Sequence, residues 1–445
     1  MAVEIVKSSM VTAGEATPEH RIWLSNLDLL VARSHTPTVY VYRRTGPDSD
    51  AAFFSPDVLK AALSKVLVPF YPLAGRLAQD SAGRPEISCT GEGVLFVTAR
   101  SGATIDDLGD LAPSDELRRM LVPAADVAAA SILAMFQVTF FRCGGVCLGA
   151  AIHHTAADGL AALDFVNTWA AIARDVAGDG EAAAAAVQRP WLDRTLLRAR
   201  SPPAVRFDHA EYSRRRGGGS KLPFDSAILP MSKNQLNALK GAGAGAGKRL
   251  STFTAVVAHV WRCACKARGL AVAGTEAATR LYMTADARTR LHPPLPRGYL
   301  GNAIFRASAV SKVSDIVAAG PLGAVAEKVS AATARLDDGY VRSLLDHLEQ
   351  TAAAASGGAA GLRKGEWVMP ESDLWVISWQ GLPLYDADFG WGRPAFMGRA
   401  CLQFSGLVYL VPGRDDGDGR LDVVVAMDPE SLAKFKDVFY EELKC

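Results

Sequence analysis

His153-His154-Thr155-Ala156-Ala157-Asp158-Gly159 puts an imidazole and a carboxylate at i, i+4 spacing directly after an apolar run. A neutral imidazole in such a place can take a proton from a hydroxyl or an amine near pH 7, which makes His154 a candidate general base. The bare pattern is short, and two histidines beside an aspartate can equally make a satisfied polar turn. Metal binding is the weaker alternative. His153 and His154 are neighbours that project differently, and no Cys or His pair elsewhere completes a ligand set, so no metal is expected.

The surrounding elements decide where that imidazole points. Residues 134–152 alternate around Cys143-Gly144-Gly145 and predict a hairpin, while residues 160–173 have helical spacing. His154 therefore stands at a strand-to-helix junction, a place that faces a cleft more often than a core. Upstream, Ser55-Pro56-Asp57 opens a helix whose apolar face is Val58, Leu59, Ala62, Leu63, Val66 and Leu67, and Pro69 and Pro72 stop it. Downstream, Ser232 caps a short helix ending near Lys240, residues 241–247 alternate Gly with Ala as a mobile loop, and a longer helix runs over 252–268. Strands are predicted at 281–284, 374–379, 406–411 and 421–427, and Pro429 starts a terminal helix. Cys263 and Cys265 point in different directions on their helix and are expected to be core thiols, with His259 a packed structural histidine.

A chain of 445 residues exceeds what one core holds, so two domains of about 200 residues are expected. The boundary falls where composition changes, giving an N-terminal domain at 1–195, a crossover at 196–222 rich in Pro, Arg and Gly, and a C-terminal domain at 223–445. With 49% hydrophobic and 21% charged residues the chain is globular, and its net charge of +1 points to neither nucleic acid nor an anionic membrane as partner. Seven cysteines without a framework spacing read as reduced thiols. With no basic-then-apolar leader and no long uncharged apolar stretch, a cytoplasmic protein without membrane insertion is expected.

A second unusual segment is Asp388-Phe389-Gly390-Trp391-Gly392-Arg393-Pro394, which by itself suits a tight turn buttressed by rings. Together and in this order, His154-x-x-x-Asp158-Gly159 and Asp388-Phe389-Gly390-Trp391-Gly392 resemble the signature pair of the plant BAHD acyltransferases. The resemblance covers nearly the whole chain, through His35-Thr36-Pro37-Thr38-Val39-Tyr40, Phe70-Tyr71-Pro72-Leu73-Ala74-Gly75-Arg76-Leu77, His259-Val260-Trp261-Arg262-Cys263, Asp286-Ala287-Arg288 and Leu295-Pro296-Arg297-Gly298-Tyr299-Leu300-Gly301-Asn302.

That resemblance implies an α/β fold of two chloramphenicol-acetyltransferase-like domains, each a mixed β-sheet with flanking helices, and an active-site channel between them. It implies His154 as the base that deprotonates the acceptor for attack on the thioester of acyl-CoA. Asp158 then pairs with Arg288 and holds the loop, Asp388, Gly390 and Gly392 are structural supports, and the Trp379 indole is the candidate oxyanion donor. Lys248, Arg249, Ser251 and Thr252, at the start of the long helix, are the candidate CoA-phosphate contacts, since open backbone N–H groups and basic side chains favour phosphate. His35 matches a segment lining the acceptor pocket. Acyl-CoA is a co-substrate, so no cofactor is required, and a monomer is expected.

Asp337-Asp338-Gly339-Tyr340 and Ile377-Ser378-Trp379 are typical of the hydroxycinnamoyltransferase group. Lys364 and Ile377 depart from the arginine and threonine of its shikimate-specific members. Glu366, Glu371, Asp373 and Asp386 would attract a cationic acceptor, and residues 260–269 resemble the same helix in spermidine enzymes. The expectation is hydroxycinnamoyl transfer to an amine such as putrescine, agmatine or spermidine, with shikimate or quinate O-acylation as the alternative. A non-catalytic ligand-binding relative is opposed by the joint presence of His154, Asp158 and Arg288. A hydrolase is opposed by the lack of a Gly-x-Ser-x-Gly elbow.

Overall fold

The structure is a computed structural model that describes residues 1–44, 53–124, 131–177, 189–212, 223–242, 250–270, 277–318, 320–354, 369–413 and 419–443. Two mixed six-stranded sheets carry it. The first runs Val3–Val11, Val94–Ser101, Ala134–Phe141, Val146–His153, His35–Tyr42, Phe396–Arg399, with the Val94–Ser101 and Ala134–Phe141 strands parallel and all other neighbours antiparallel. The second runs Ile304–Lys312, Ala278–Asp286, Leu374–Ser378, Leu407–Pro412, Leu421–Met427, Asp225–Met231. The last strand of the first sheet comes from the second half of the chain, where Arg399 pairs with Thr38 and Met397 with Tyr40.

The hairpin expected around Cys143-Gly144-Gly145 is present, and its second strand, Val146–His153, is buried along its length. Its Gly149 admits no side chain, because a Cβ there would stand 1.7 Å from the Leu121 carbonyl oxygen. The helix after the motif, Gly159–Ala177, covers the sheet and is locked to the Pro56–Val66 helix by the Trp169 indole donating to the Leu59 carbonyl at 2.9 Å. Ser55 precedes that earlier helix without capping it through its side chain; Pro56 alone sets the first turn. Ser251 does cap the Thr252–Ala267 helix by accepting from the Thr254 N–H, and Ser232 caps Lys233–Ala242 through Gln235.

The described part of the crossover is pinned to the second half. Arg200 and the Ala204 N–H bind Asp346, and the Arg206 N–H donates to Ser343, both on the Asp338–Ala354 helix. The Gly/Ala loop from 243 onward, the basic and glycine-rich stretch at 213–222, and Lys248, Arg249, Lys364 and Glu366 lie outside the described residues. The six described cysteines are free thiols. Among the described residues no helix is long and apolar enough to cross a membrane.

Candidate active site

His154 leaves the first sheet at the end of its hairpin, with its backbone N–H bonded to the Ser34 carbonyl at 3.0 Å. Its ring meets the second half of the chain at Asn302, whose Oδ1 is 3.1 Å from His154 Nδ1. The Asn302 amide nitrogen faces three oxygens: Asp28 Oδ1 at 3.1 Å, the His154 carbonyl at 2.8 Å and the Thr155 carbonyl at 3.4 Å. With the NH2 group committed to acceptors, Oδ1 is the end offered to His154, so Nδ1 carries the proton and Nε2 keeps its lone pair. Nε2 makes no hydrogen bond to a described residue, and His154 remains partly exposed. This is the tautomer a general base needs.

Behind Asn302 stands the buried carboxylate of Asp28. It accepts from the Asn302 backbone N–H at 2.6 Å, from Ser25 N and Oγ at 2.9 and 2.8 Å, and from Arg194 Nε at 3.2 Å. Five donors saturate one carboxylate, so Asn302 has a fixed seat. Sequence reasoning missed Asp28, Arg194 and the role of Asn302. The Ser25-x-x-Asp28 capping box was a visible signal for the first, since both of its reciprocal hydrogen bonds form.

Asp158 faces away from the open side of His154. Its two oxygens take a two-point ion pair from Arg288 at 2.8 and 2.9 Å, and it also accepts from Ala303 N at 3.0 Å and from Ala161 N at 3.1 Å. The last of these makes Asp158 the cap of the Gly159–Ala177 helix. One carboxylate thus fixes the helix start, the loop and the join to the second sheet. Burial holds the His154 pKa below the ordinary imidazole value, and Arg399 pushes it the same way, against the charge of Asp158 and the Asn302 hydrogen bond. His154 is therefore neutral at pH 7.

Trp379, just past the Leu374–Ser378 strand, brings its indole to Gly159, the residue after Asp158. A methyl group built on Gly159 would stand 3.8 Å from Trp379 Nε1, which makes no hydrogen bond to a described residue. An edge-on contact with Tyr409, at 5.1 Å between ring centres, holds the indole. Ile377 is partly buried on the preceding strand, opposite Tyr409 in register. His35 opens its strand beside His153, with its Nε2 2.7 Å from the Ile132 carbonyl and its ring edge-on to His153 at 5.2 Å.

Asp388, Gly390 and Gly392 form a separate structure. Asp388 Oδ1 accepts from both glycine N–H groups, at 2.9 and 3.0 Å, and both glycines have positive φ, 101° and 95°. Phe389 is buried among Tyr42, Phe54 and Trp169, and Trp391 lies against Phe53 and Phe54. Gly390 touches Arg174, sixteen residues along the helix from Asp158, or about 24 Å at the helical rise. The turn lies beyond reach of chemistry at His154.

Of the acids thought to attract a cationic acceptor, Asp373 is fully buried with Oδ1 accepting from the Arg280 backbone N–H at 3.0 Å, and Asp386 is exposed and 3.8 Å from Arg393. Asp373 is not a spare carboxylate, while Asp386 and Glu371 are exposed. Ser251 is engaged in its cap, and Thr252 opens the helix. His259, Cys263 and Glu442 bring ligand-type atoms within 4.8 Å of one another, but Lys266 already pairs with Glu442 and the His259 Nε2 lies 3.1 Å from the Phe439 carbonyl. Cys263 and Cys265 are buried core thiols.

A base held by Asn302, a loop clamped by Asp158 and Arg288, and an indole beside them come from both halves of one chain. The description "Transferase family" matches residues 1–442. The chain belongs to the BAHD acyltransferase family. It is an acyl-CoA-dependent acyltransferase with two mixed sheets and flanking helices. A shikimate O-hydroxycinnamoyltransferase of Nicotiana tabacum is 41% identical over 99% of this chain and 100% of its own. A hydroxycinnamoyl-CoA:5-hydroxyanthranilate N-hydroxycinnamoyltransferase of Avena sativa is 41% identical over 98% of this chain and 99% of its own. The crystal structure of vinorine synthase shares the fold at a TM-score of 0.73, covering 97% of this BAHD chain and 96% of its own with 22% identity.

Proposed function

We propose that this BAHD enzyme transfers a hydroxycinnamoyl group from CoA to a hydroxyl or an aromatic amine, with His154 as the base. The carrying observation is the hydrogen bond from His154 Nδ1 to Asn302, which leaves Nε2 as the free acceptor on a neutral ring. Nε2 takes the acceptor's proton as its oxygen or nitrogen attacks the thioester carbonyl. The Trp379 N–H is the proposed donor to the oxyanion, and collapse returns the proton to the departing CoA sulfur. Asp158 and Arg288 hold the loop and relay nothing. Ser251 and Thr252, with Lys248 and Arg249, are the proposed CoA-phosphate contacts.

The names of the relatives support the donor: both are hydroxycinnamoyltransferases, one acting on a hydroxyl and one on an aromatic amine. The state of the base supports the acceptor class. Hydroxyls and aryl amines arrive neutral with a lone pair ready to attack, whereas an alkylammonium, with a pKa of about 10, has no free lone pair until it has first lost a proton. Putrescine, agmatine and spermidine would also need buried or pocket-lining carboxylates, and the buried one of that set, Asp373, is engaged by the Arg280 N–H.

The test offers p-coumaroyl-CoA with an equimolar mixture of shikimate, quinate, 5-hydroxyanthranilate, putrescine, agmatine and spermidine, with products resolved by mass. Esters or aryl amides are expected. Polyamine amides as the main products would overturn the acceptor class, and their loss in a Glu366→Gln or Glu371→Gln variant would restore the acidic-pocket reading.

A further inference from the structure

Four arginines are buried among the described residues: Arg194, Arg262, Arg288 and Arg399. Three are satisfied. Arg194 binds Asp28 and the Leu192 and Leu300 carbonyls, Arg262 binds the Ile316, Gly320 and Pro321 carbonyls, and Arg288 binds Asp158. Arg399 is 3% exposed, and its Nε and Nη1 are buried with no hydrogen-bond partner. Buried guanidinium donors left without hydrogen-bond partners are costly, and they call for a group that pairs with them.

Its position says what that partner touches. Arg399 ends the Phe396–Arg399 strand, two residues past Met397, which packs in the large core shared with Tyr40, Ile152, Trp379 and Tyr409. Alternation puts the Arg399 side chain on that same face, opposite Thr38 in register. Its guanidinium carbon stands 5.7 Å from the Tyr409 ring centre, and Tyr409 in turn braces Trp379. It is near enough to His154 to push that imidazole further toward its neutral form. A guanidinium with two N–H donors unmet therefore lies against the tyrosine that braces the indole, within electrostatic reach of the base.

We propose that Arg399 binds a carboxylate on the acceptor, holding an acidic ring compound while His154 addresses its hydroxyl or amino group. A planar guanidinium matches a carboxylate at two points and fixes orientation as well as charge. The assignment rests on the reading of His154 as the base that meets the acceptor. It also gives the acceptor site a cation independent of Lys364.

The test uses p-coumaroyl-CoA and two acceptor pairs that differ in an ionised carboxylate: anthranilate against aniline, and shikimate against its methyl ester. Wild type should prefer the acid in each pair. Arg399→Gln should lower the acid-to-neutral ratio of kcat/KM on the order of 10- to 100-fold, mainly through the acceptor KM, and Arg399→Lys should recover part of it. Equal losses on both members of a pair would make Arg399 structural and overturn the proposal. So would a wild-type preference for the neutral members, a result that needs no variant to fold. A second arm compares p-coumaroyl-CoA with cinnamoyl-CoA at fixed acceptor. A change confined to that arm would assign Arg399 to the acyl group's phenol and sink the acceptor reading. Absence of transfer by wild type to any of the four would instead overturn the proposed function beneath it.

Discussion

Asn302 grips His154 at two points, with Oδ1 3.1 Å from the ring Nδ1 and Nδ2 donating to the His154 carbonyl at 2.8 Å. One amide thus sets both the tautomer and the backbone position of the base. Asn302→Ala should lower kcat on the order of 100-fold with little change in the KM for acyl-CoA. Asn302→Asp, nearly the same size, should be worse for folding, because it sets a second carboxylate against buried Asp28. Steady-state kinetics and urea melts of the two variants check this; equal stability of both would show that Asp28 does not hold the amide.

His154→Ala should abolish transfer without loss of fold. Asp158→Asn should cost about 3 kcal/mol of stability, since it removes the buried partner of Arg288 and leaves it only the more exposed Asp286 at 3.3 Å, and should lower activity through a displaced loop. A crystal structure of the asparagine variant with His154 and Arg288 undisturbed would contradict that account.

The pH dependence follows from the buried base. With its pKa below the usual imidazole value, His154 is active when neutral, so kcat/KM should be flat near neutrality and fall on the acid side, with an apparent pKa under 6.5. Removing the Arg399 charge takes away one of the influences that lower it, so the acid limb of Arg399→Gln should move to higher pH. An unmoved limb would place Arg399 too far from the base to matter.

His259 gives a stability signature separate from catalysis. Burial lowers its pKa from 6.5 to about 4. The unfolded chain takes up this proton near 6.5 and the folded chain only near 4, so acid favours unfolding. Its contribution is whole above pH 6.5 and falls by roughly 1.4 kcal/mol per pH unit between those values. Urea melts at pH 7 and pH 5 should show the loss, and His259→Gln should shrink the difference between them.

The Asp388 turn should behave as a structural piece. Asp388→Ala frees two backbone N–H groups and should cost about 1–3 kcal/mol. Gly392→Ala places a Cβ at a φ of 95° and should cost about 1–2 kcal/mol. In both, the folded fraction should keep its kcat; active-site titration beside thermal melts separates the two effects.

Local pattern carried much of this architecture. Alternation on both sides of Cys143-Gly144-Gly145 and helical spacing after Gly159 located His154 at its junction, and Ser232 caps as its position foretold. Partners across the chain were another matter. Nothing local tells that Asn302 meets a histidine 148 residues earlier, or that Asp28 seats that asparagine. The acids around the 374–378 strand show that charge alone does not give position. Their charges are plain in the sequence, but Asp373 turns inward onto the Arg280 N–H and Asp386 lies at the surface beside Arg393. Arg399 looks like any other arginine until the fold removes water from it and supplies no partner.

The strand that carries Arg399 has one more consequence. Phe396–Arg399 covers the free side of His35–Tyr42, so a fragment ending at the crossover would expose that alternating, ring-bearing strand as an open ladder of N–H and C=O groups. Such a fragment should self-associate rather than fold by itself, and a peptide spanning the missing strand, added in trans, should keep it dispersed. During synthesis the first sheet therefore waits for nearly the last tenth of the chain before its rim is sealed, a window in which a chaperone has something to hold.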